Sequence, residues 1–520
     1  MPCIVATFTP FEMKNYSPFV VLIFMAGLYL LMSAVMAFVP NSKGFIIAVN
    51  QIKKDSVWVN DTVWLKMPDA YAFYNPVMHQ TDKKAVAGKV DKMQKKVDKI
   101  EKKMLKHKNE FGEELGKPSG DNEVVSGDEV QKLEFGEKGS SVLFPAFKKL
   151  SALASNKSSL HIFHYGDSQI EGDRMTSYIR YRLQGKFGGN GPGMIPAFDA
   201  YNSMSFKQTR SDNWKRYTAF AETSKEVKHK KYGSMISLTR FTGYFEDSLI
   251  QKQDPAEAWI EINPSKSAYG NAKTYNRVRM FYGNCKTRCD IQIYNNGELI
   301  QDDTLISDGG YHVLELGFKE TPNLKFVFKS KMSPDIYSFA LEGNYGVQVN
   351  NVAMRGSSGT FFGKVDQGLL QRMYGELNAD IFIMQFGGNA IPWIESEKEA
   401  DDVARFFKSQ LLTIKKLRPD AAIIVIGPSD MSTRVDGEMV TYPILPYMVK
   451  KMKQVSNEAG AGYWDLYTAM GGKNTMAYWV EQGWAVDDYT HFSPQGAKVV
   501  SEMFYEAFLL EYQNYVNGQK

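Results

Sequence analysis

Residues 160–169 read LHIFHYGDSQ, and this stretch decides the fold that we expect. Its first six residues form a short apolar run of the length typical of a buried strand. Gly166 ends the run, and residues 173–184 then have the spacing of a helix. A strand followed directly by a helix is the repeating unit of parallel sheets, in which ligands bind beyond the carboxyl ends of the strands. The turn GDSQ is therefore the first place to look for chemistry.

The alternation of strand and helix returns near residue 345 and continues to the carboxyl terminus. The predicted strands there are YGVQVNNVAM (345–354), DIFIMQF (380–386), AAIIVIG (421–427) and GYWDLY (462–467), and the predicted helices lie near 364–377, 397–417 and 441–459, with one more at the terminus. Together with the first unit they make five strands, each followed by a helix. We therefore predict an α/β fold, a three-layer α/β/α domain whose five-stranded parallel sheet is formed by residues 141–196 and 345–520.

Residues 197–344 separate the two parts of this domain and are rich in tyrosine, phenylalanine, valine and isoleucine, with little helical period. The predicted strands are AWIEINP (258–264), YNRVRMFYG (275–283), DIQIYNNGELI (290–300), YHVLELGF (311–318) and LKFVFKS (324–330). Asn296-Gly297 favours a tight hairpin turn. We predict an inserted all-β sandwich domain.

Cys285 and Cys289 lie in this predicted insertion. Outside the cytoplasm such a pair favours a short-loop disulfide, but two free buried thiols fit the sequence nearly as well. A zinc site would need two further ligands that the sequence does not offer. The sequence leaves the disulfide and the free thiols open.

The amino-terminal 40 residues contain a long apolar segment. Residues 19–39 carry no charge and only one serine, Ser33. Twenty-one helical residues extend about 30 Å, which is the thickness of the hydrocarbon core of a bilayer. We predict that residues 1–40 are a signal anchor with a transmembrane helix. Cleavage after Ala37 remains open, since Val35-Met36-Ala37 resembles a signal-peptidase site.

Residues 41–140 are predicted to be a linker with a charged helical stalk. Residues 82–108 hold eleven lysines and four acidic residues, a local excess of +7, and their apolar residues are spaced four and three apart in a heptad pattern. Self-association through residues 82–108 and a single solvated helix or disordered linker both fit this pattern. Since the whole chain carries only +4, the rest is mildly acidic, and nucleic-acid binding is not expected.

A serine and a candidate base stand at predicted strand and helix ends. Ser168 follows the first strand in Gly166-Asp167-Ser168, where glycine permits a sharp turn and a helix start favours negative charge on the serine oxygen. His491 is the only histidine after residue 312, and Asp488 precedes it by three residues. An aspartate at that spacing can hold Nδ1 of the imidazole, which leaves Nε2 free to accept the serine proton.

Candidate donors to an oxyanion follow two other strands. The segment Gly356-Ser357-Ser358-Gly359 ends the strand after the insertion, and Gly387-Gly388-Asn389 ends the next one. Glycine N–H groups and an asparagine amide are suitable donors to a tetrahedral oxyanion. Each cluster alone is also typical of an ordinary loop. All four clusters in this order favour a catalytic site.

These four blocks resemble those of the SGNH (GDSL) hydrolases. The resemblance covers about residues 145–195 and 345–516 and implies the SGNH-hydrolase fold. It also implies Ser168 as nucleophile, His491 as base and Asp488 as its orienting carboxylate. The implied oxyanion hole consists of the backbone N–H groups of Ser168 and Gly359 and the side chain of Asn389. Ala390 departs from the pattern, since many relatives have an aspartate there, and this weakens inference about the substrate.

The insertion and residues 463–496 are similar to bacterial peptidoglycan O-acetylesterases, whose inserted domain resembles a carbohydrate-binding module. The resemblance implies a serine esterase. Together with the predicted anchor, which lies outside the resemblance, it leads us to expect an extracytoplasmic enzyme, anchored in the inner membrane with its catalytic domain in the periplasm. Its substrate would be an O-acetylated cell-envelope polysaccharide, by resemblance peptidoglycan. Two alternatives remain open: a polysaccharide O-acetyltransferase with the same triad, and a non-catalytic polysaccharide-binding envelope protein.

Other motifs indicate no further chemistry. The sequence has no Gly-x-Ser-x-Gly elbow of the α/β-hydrolases and no cluster with metal-ligand spacing, so we expect catalysis without a cofactor or a metal ion. Trp464, Trp479 and Trp484 precede the Asp-x-x-His segment and are candidates for stacking on sugar rings, with core packing as the competing interpretation.

Overall fold

The computed structural model describes residues 130–220 and 224–519, together with Val125 and residues 94, 95 and 97–99, and the backbone of three amino-terminal strands. The predicted membrane segment, residues 19–39, lies outside the described residues. Within the described part of the chain, no helix combines the length and the apolar character needed to cross a bilayer.

The chain divides into two compact units, residues 1–78 and residues 79–520. The first contains a sheet of β1 (Val5–Phe8), β2 (Phe45–Lys54) and β3 (Val57–Leu65), in which β2 pairs parallel with β1 and antiparallel with β3. Strands β2 and β3 lie in the part of the chain for which the sequence predicts a linker. Both long strands are rich in β-branched and aromatic residues, which favour strands over linker.

The second unit begins with the first part of an α/β domain. Its elements are β4 (Leu133–Glu134), α1 (Phe144–Asn156), β5 (Ser159–Gly166) and α2 (Thr176–Phe187). Strand β5 is the run that opens the sequence analysis, and α2 begins three residues later than predicted. A 3-10 helix, Ser168–Asp173, fills the gap between them.

A β domain follows, formed by two antiparallel sheets. Its elements are β6 (Gly193–Pro196), β7 (Phe206–Arg210), β8 (Lys215–Thr218), β9 (Ser237–Arg240), α3 (Asp247–Ile250), β10 (Ala256–Pro264), β11 (Arg277–Gly283), β12 (Cys289–Asn295), β13 (Glu298–Thr304), β14 (His312–Gly317), β15 (Leu324–Ser330) and β16 (Asp335–Glu342). One sheet has the order β13-β12-β15-β10-β7, and the other has the order β14-β11-β16-β9-β8, with β6 paired to β16. Side chains from both sheets form one core, in which the rings of Phe326 and Phe339 are 5.0 Å apart.

The strands predicted between residues 258 and 330 are all present. The hairpin turn is present as well: Asn296 and Gly297 have φ values of 51° and 86°, the left-handed conformations that a two-residue hairpin needs. The domain begins at β6, four residues before the predicted boundary. Strand β16 has no polar alternation because all eight of its residues are buried, so its sequence carries no period-2 signal.

Cys285 and Cys289 are free, buried thiols in the core of the β domain. Burial raises the pKa of the Cys285 thiol to about 11, so this thiol stays protonated and unreactive at neutral pH. Of the two interpretations that the sequence left open, the structure has the free thiols.

The second part of the α/β domain completes its sheet. Its elements are β17 (Gly346–Ala353), α4 (Gln367–Glu376), β18 (Ala379–Gln385), α5 (Glu397–Leu417), β19 (Ala422–Ile426), β20 (Ser432–Val435), β21 (Glu438–Thr441), α6 (Leu445–Glu458), β22 (Gly462–Trp464), α7 (Leu466–Ala469), α8 (Met476–Glu481) and α9 (Pro494–Gly518). The sheet order is β17-β5-β18-β19-β22-β4. The first five strands are parallel, and β4 is antiparallel to β22. The prediction missed this sixth strand, because it is two residues long and lies in the predicted linker.

Helices cover both faces of the sheet. Side chains of β5 alternate between two hydrophobic clusters: Phe163 and Tyr165 pack with α4, α5 and α6, while Leu160 and Ile162 pack with α1, α2 and α9. This alternation follows from the two-residue period of a strand. The α/β class predicted from the sequence is confirmed.

The predicted stalk contacts the α/β domain at the positions that the structure describes. Val97 is fully buried and belongs to the same cluster as Trp479. Gln94, one turn earlier, accepts a hydrogen bond from the Tyr478 hydroxyl at 2.7 Å. The predicted self-association of residues 82–108 is therefore not supported. At Val97 the apolar side of the predicted helix packs against the α/β domain of the same chain.

A buried ion pair connects the two domains. Glu342, at the end of β16, accepts from the Arg279 guanidinium at 2.6 Å and lies 3.1 Å from the His161 imidazole on β5. Burial acts to raise the pKa of Glu342, but His161 and Arg279 outweigh it and lower the pKa to about 2.

We expect Glu342→Gln to lower the free energy of unfolding by about 3–5 kcal/mol at pH 7, because it leaves a buried guanidinium without its counter-ion. The ion pair stabilises the protein above the unfolded pKa of about 4.3, and this stabilisation is lost as the pH falls towards 2. Urea unfolding at pH 7 and pH 3 measures both effects. Glu315→Gln, which breaks the exposed pair of Arg277 and Glu315, serves as the control, with a change below about 1 kcal/mol.

Candidate active site

The turn after β5 places Ser168 at the carboxyl edge of the sheet. Asp167 caps the following 3-10 helix by accepting a hydrogen bond from the Gln169 backbone N–H at 2.9 Å. A Cβ atom at Gly166 would lie 2.9 Å from the side chain of Ile170 and 3.2 Å from the carbonyl oxygen of Gln385. Glycine is therefore required for the strand to turn this closely against its neighbour.

The segment before α9 forms a compact turn around one carboxylate. The backbone N–H groups of Thr490 and His491 both donate to Oδ1 of Asp488 at 2.9 Å. Oδ2 of Asp488 lies 2.7 Å from Nδ1 of His491. Ser493 caps α9 by accepting from the N–H of Gly496. The local sequence alone thus fixes the orientation of the imidazole.

Hydrogen bonds keep Asp488 ionised. Partial burial acts to raise the pKa of Asp488, but the hydrogen bonds from the backbone N–H and the imidazole of His491 outweigh it and lower the pKa below its ordinary value. At neutral pH this carboxylate holds the Nδ1 proton of His491, so that Nε2 carries a free lone pair.

Ser168 and His491 meet although 323 residues separate them. The serine Oγ lies 2.7 Å from Nε2 of His491, within the range of a hydrogen bond between a nucleophile and its base. Together with Asp488 these atoms have the geometry of a serine-hydrolase triad. The structure brings together all three residues predicted for this purpose.

Gln169 is a functional residue that the sequence analysis did not single out. Its amide nitrogen donates to the Thr490 carbonyl at 2.6 Å, and its amide oxygen accepts from the Phe492 N–H at 3.4 Å. These two bonds lie on either side of His491 and connect its loop to the serine turn. Its position next to the serine in GDSQ was the only sequence signal that could have indicated it.

Asn389 lines the same cavity as Ser168, and in this state the predicted oxyanion donors Gly359 and Asn389 have other partners. The Gly359 N–H donates to Oγ of Ser357 at 3.1 Å. The Asn389 amide donates to Asp167 at 3.0 Å and to the carbonyl of Ser357 at 3.1 Å. A developing oxyanion would therefore have to replace at least one of these acceptors.

Asp167 is a buried carboxyl group behind the serine. Burial raises its pKa to about 6, although the hydrogen bond from Gln169 and the nearby imidazole of His491 act in the opposite direction. The carboxyl group therefore titrates close to neutral pH, while it accepts the hydrogen bond from the Asn389 amide.

We expect Asp167→Asn to remove a pH dependence of stability. Because folding raises this pKa from about 3.9 to about 6, the folded state disfavours the ionised form. The wild type should lose up to about 3 kcal/mol of unfolding free energy, relative to the variant, as the pH rises from about 4 to above 6. Urea unfolding of both proteins between pH 3.5 and 7.5 measures this difference, with Asp212→Asn, an exposed site, as control. A constant difference across this range would contradict the expectation.

An open cavity of about 790 Å³ adjoins the triad. Besides Ser168 and His491 its lining includes Asn389, Met431 and Trp393, and the side chain of Trp393 is 82% exposed. The sequence analysis missed Trp393, because it follows a glycine-rich loop and has no periodic pattern around it.

The three tryptophans proposed for sugar stacking have a different role. Trp464, Trp479 and Trp484 are 0%, 0% and 3% exposed. Trp479 lies 5.5 Å from Trp484 and 5.3 Å from Phe492, ring to ring. The stacking prediction was therefore wrong for these residues, and the competing interpretation, core packing, is correct. Nearness in sequence to His491 did not place them at the surface.

No family model matches the chain, and no curated protein matches it significantly. Among solved structures, a peptidoglycan O-acetylesterase aligns with 74% of this chain and 99% of its own, at 20% sequence identity and a TM-score of 0.58. The chain has the fold of an SGNH hydrolase. At this identity the likeness establishes the fold alone.

Two other solved structures are more distant. A putative GDSL-like lipase from Parabacteroides merdae aligns with 32% of this chain and 74% of its own at 14% identity and a TM-score of 0.24. An acetyl xylan esterase aligns with 31% of this chain and 81% of its own at 14% identity and a TM-score of 0.23. These scores are too low to support an argument about this protein.

Proposed function

We propose that this protein is an extracytoplasmic serine esterase that removes O-acetyl groups from peptidoglycan. The observation that carries the proposal is the hydrogen-bonded chain from Ser168 through His491 to Asp488, with two distances of 2.7 Å, at the edge of an open cavity. The shared fold with a peptidoglycan O-acetylesterase supports the choice of substrate.

The first half of the reaction forms an acetyl-enzyme. Oγ of Ser168 attacks the carbonyl carbon of the acetyl ester, and Nε2 of His491 accepts the serine proton. The tetrahedral intermediate collapses with loss of the sugar oxygen, which takes that proton from His491. The products of this step are a free sugar hydroxyl and acetylated Ser168.

The second half releases acetate. Nε2 of His491 accepts a proton from water as the water oxygen attacks the carbonyl carbon of the acetyl-enzyme. The proton then passes to Oγ of Ser168 as the bond between the acetyl carbon and Oγ breaks. Asp488 stabilises the imidazolium in both halves and keeps the imidazole in the required tautomer. No other reactant is needed.

The oxyanion of each intermediate would bind to the N–H groups of Ser168 and Gly359 and to the Asn389 amide. Such donors stabilise the transition state most when they cost no reorganisation. Here Asn389 must exchange its hydrogen bond to Asp167 or to the Ser357 carbonyl for one to the oxyanion. We infer that this exchange occurs as the substrate enters.

Trp393 supports a carbohydrate substrate. Its ring is the most exposed large apolar side chain among residues 130–220 and 224–519, and it lines the cavity that contains Ser168. An exposed indole face packs well against the apolar face of a sugar ring. We therefore propose that Trp393 holds a sugar unit of the polymer at the triad.

Hydrolysis is favoured over acyl transfer because the cavity is open. His491 is 29% exposed at its side chain, so water reaches the base without displacement of a lid. A transferase would have to exclude this water from the acetyl-enzyme.

We place the SGNH domain outside the cytoplasmic membrane, with residues 19–39 as its inner-membrane anchor, because an envelope polymer is accessible only there.

The test is acetate release from O-acetylated peptidoglycan by the full-length protein in detergent. We expect acetate at a rate proportional to enzyme, none from peptidoglycan that has been de-O-acetylated with mild base, and none with Ser168→Ala. Acetyl groups that appear on an added chito-oligosaccharide faster than free acetate would identify a transferase instead. Binding to peptidoglycan without acetate release would leave a non-catalytic role. Protease access to the SGNH domain in spheroplasts tests the location.

A further inference from the structure

A second cleft lies where the β domain meets the SGNH domain. Its lining includes Gly172 and Ala353 from the SGNH domain and Tyr201, Arg216 and Met235 from the β domain. The cleft adjoins the far end of the 3-10 helix that begins at Ser168. Glu171 is three residues from Ser168, so their Cα atoms are at most about 11 Å apart. A polymer bound at the triad can therefore extend into this cleft.

Arg216 faces the cleft with an unused hydrogen-bond donor. Its Nε atom is buried and has no hydrogen-bond partner among residues 130–220 and 224–519. The guanidinium carbon lies 5.5 Å from the ring centre of Tyr201 and 5.7 Å from that of Phe220. Aromatic faces stabilise the cation but accept no strong hydrogen bond from it. A buried donor without an acceptor destabilises the protein, unless a ligand supplies the acceptor.

Arg355 approaches the same aromatic ring from the SGNH domain. Its guanidinium carbon lies 6.0 Å from the ring centre of Tyr201, and its Nε pairs with Glu171 at 2.9 Å. The Arg355 side chain is 66% exposed, so its other nitrogens face solvent. Arg216 and Arg355, one from each domain, thus both lie within 6.0 Å of the ring centre of Tyr201.

Nearby charges leave this region cationic. Arg174 adds a third guanidinium, which donates to the Glu171 carbonyl at 3.1 Å. The acidic groups there are Glu171, which Arg355 neutralises, and Asp199, whose oxygens accept from the N–H groups of Tyr201 and Ser203. A further buried pair, Asp173 with Arg180, is neutral. Arg174 also interacts with Asp488 and Asp167, and Asp199 interacts with Arg210. Arg216 therefore carries the positive charge that these pairs leave.

We propose that Arg216 in this cleft and Arg355 beside it bind a carboxylate of the glycan substrate, and that the enzyme prefers acetyl esters on an acidic polymer over those on a neutral one. This inference rests on the proposed function. A planar carboxylate matches the fork of an arginine and can accept two hydrogen bonds from it. Peptidoglycan offers such groups on its stem peptides, and on its lactyl ethers where the stem peptide has been removed.

The test measures selectivity in the full-length protein. The ratio of kcat/KM for O-acetylated peptidoglycan to kcat/KM for a neutral acetylated chito-oligosaccharide is compared among wild type, Arg216→Gln and Arg355→Gln. We expect each variant to lower this ratio about 10-fold, mostly through KM, because a charge-assisted hydrogen bond is lost. The control is Arg288→Gln, an exposed β-domain arginine paired with Asp290, for which the ratio should not change.

Three further measurements keep the proposal falsifiable. Arg216→Lys retains the charge without the fork and should give an intermediate ratio, with a thermal melt that shows intact folding. Raising NaCl from 50 to 500 mM should lower the ratio for the wild type more than for Arg216→Gln, because salt screens the attraction. An amidase removes the stem peptides and frees the lactyl carboxylates that were bonded to them as amides. A ratio that persists after this treatment shows that the lactyl carboxylate serves as the ligand, and one that falls assigns the peptide.

Unchanged ratios in both glutamine variants would overturn the carboxylate site, as would an equal loss on both substrates in a folded variant. Failure of the proposed function has a different signature, namely no acetate from any ester with the wild type. In that case binding of the Ser168→Ala protein to acidic and neutral glycans still tests the cleft, and equal binding to both would overturn it.

Discussion

Ser168→Ala is expected to lower kcat/KM for acetyl esters by about 10⁵- to 10⁶-fold, the largest effect of any substitution in this protein. Without Oγ no acetyl-enzyme forms, and in another serine hydrolase the loss of the nucleophile alone costs about as much as the loss of the whole triad. The remaining rate over water would come from binding and from the oxyanion donors. The substitution should leave stability nearly unchanged, because Ser168 is partly exposed in an open cavity.

Initial rates with O-acetylated peptidoglycan and with a chromogenic acetyl ester measure this effect. The matched control is Ser155→Ala, at an exposed serine near the end of α1, with no expected change. Retention of more than about a hundredth of the wild-type rate by a homogeneous Ser168→Ala protein would assign the nucleophile to another residue. His491→Ala should give a comparable loss, since the two residues act as a unit.

Asp488→Asn is expected to lower kcat by about 10⁴-fold, while KM changes little. The asparagine oxygen can still accept from the N–H groups of Thr490 and His491, so the turn is kept. Its NH₂ group, however, faces Nδ1 of His491 and forces that nitrogen to be the acceptor. Nε2 then carries the proton and cannot accept one from Ser168. In another serine hydrolase this change of tautomer alone costs a factor of this size.

The neighbouring Asp487 supplies the control for this substitution. It is exposed and precedes Asp488 directly, so Asp487→Asn makes the same change of charge without reaching the imidazole. We expect its kcat to stay within two-fold of the wild type. A loss for Asp488→Asn that disappears at high salt would mean that Asp488 acts only through long-range charge, because the tautomer effect does not depend on ionic strength.

Local sequence patterns predicted the elements that have a strong period. Helix α5 occupies residues 397–417 as predicted, since it combines a capping box at Ser396 and Glu399 with a clear apolar face. The hairpin at Asn296-Gly297 followed from turn chemistry alone. Strands β4 and β16 were missed because neither carries a period: one has two residues, and the other is buried on both faces.

The apolar seam of residues 82–108 shows where a periodic pattern is ambiguous. A heptad pattern indicates that one face of a helix is buried, but it does not identify the surface that covers this face. At Val97 the cover is the α/β domain of the same chain, through the cluster that contains Trp479. The stacking prediction for the tryptophans near His491 was wrong in the opposite sense, because it placed buried side chains at the surface. An aromatic residue that is close in sequence to the His491 loop can equally belong to the core beneath that loop.

The sequence by itself indicated the alternation of strands and helices and singled out Ser168, His491 and Asp488 as candidate residues, because the period of each element, the GDS turn and the Asp-x-x-His turn are local features. Only the tertiary structure decided that the donors of Gly359 and Asn389 already have partners, that Trp393 faces the cavity, and that Arg216 and Arg355 share one aromatic ring across a domain boundary. Residues in these contacts lie up to 222 positions apart. Such distances depend on how whole elements pack, which no local pattern encodes.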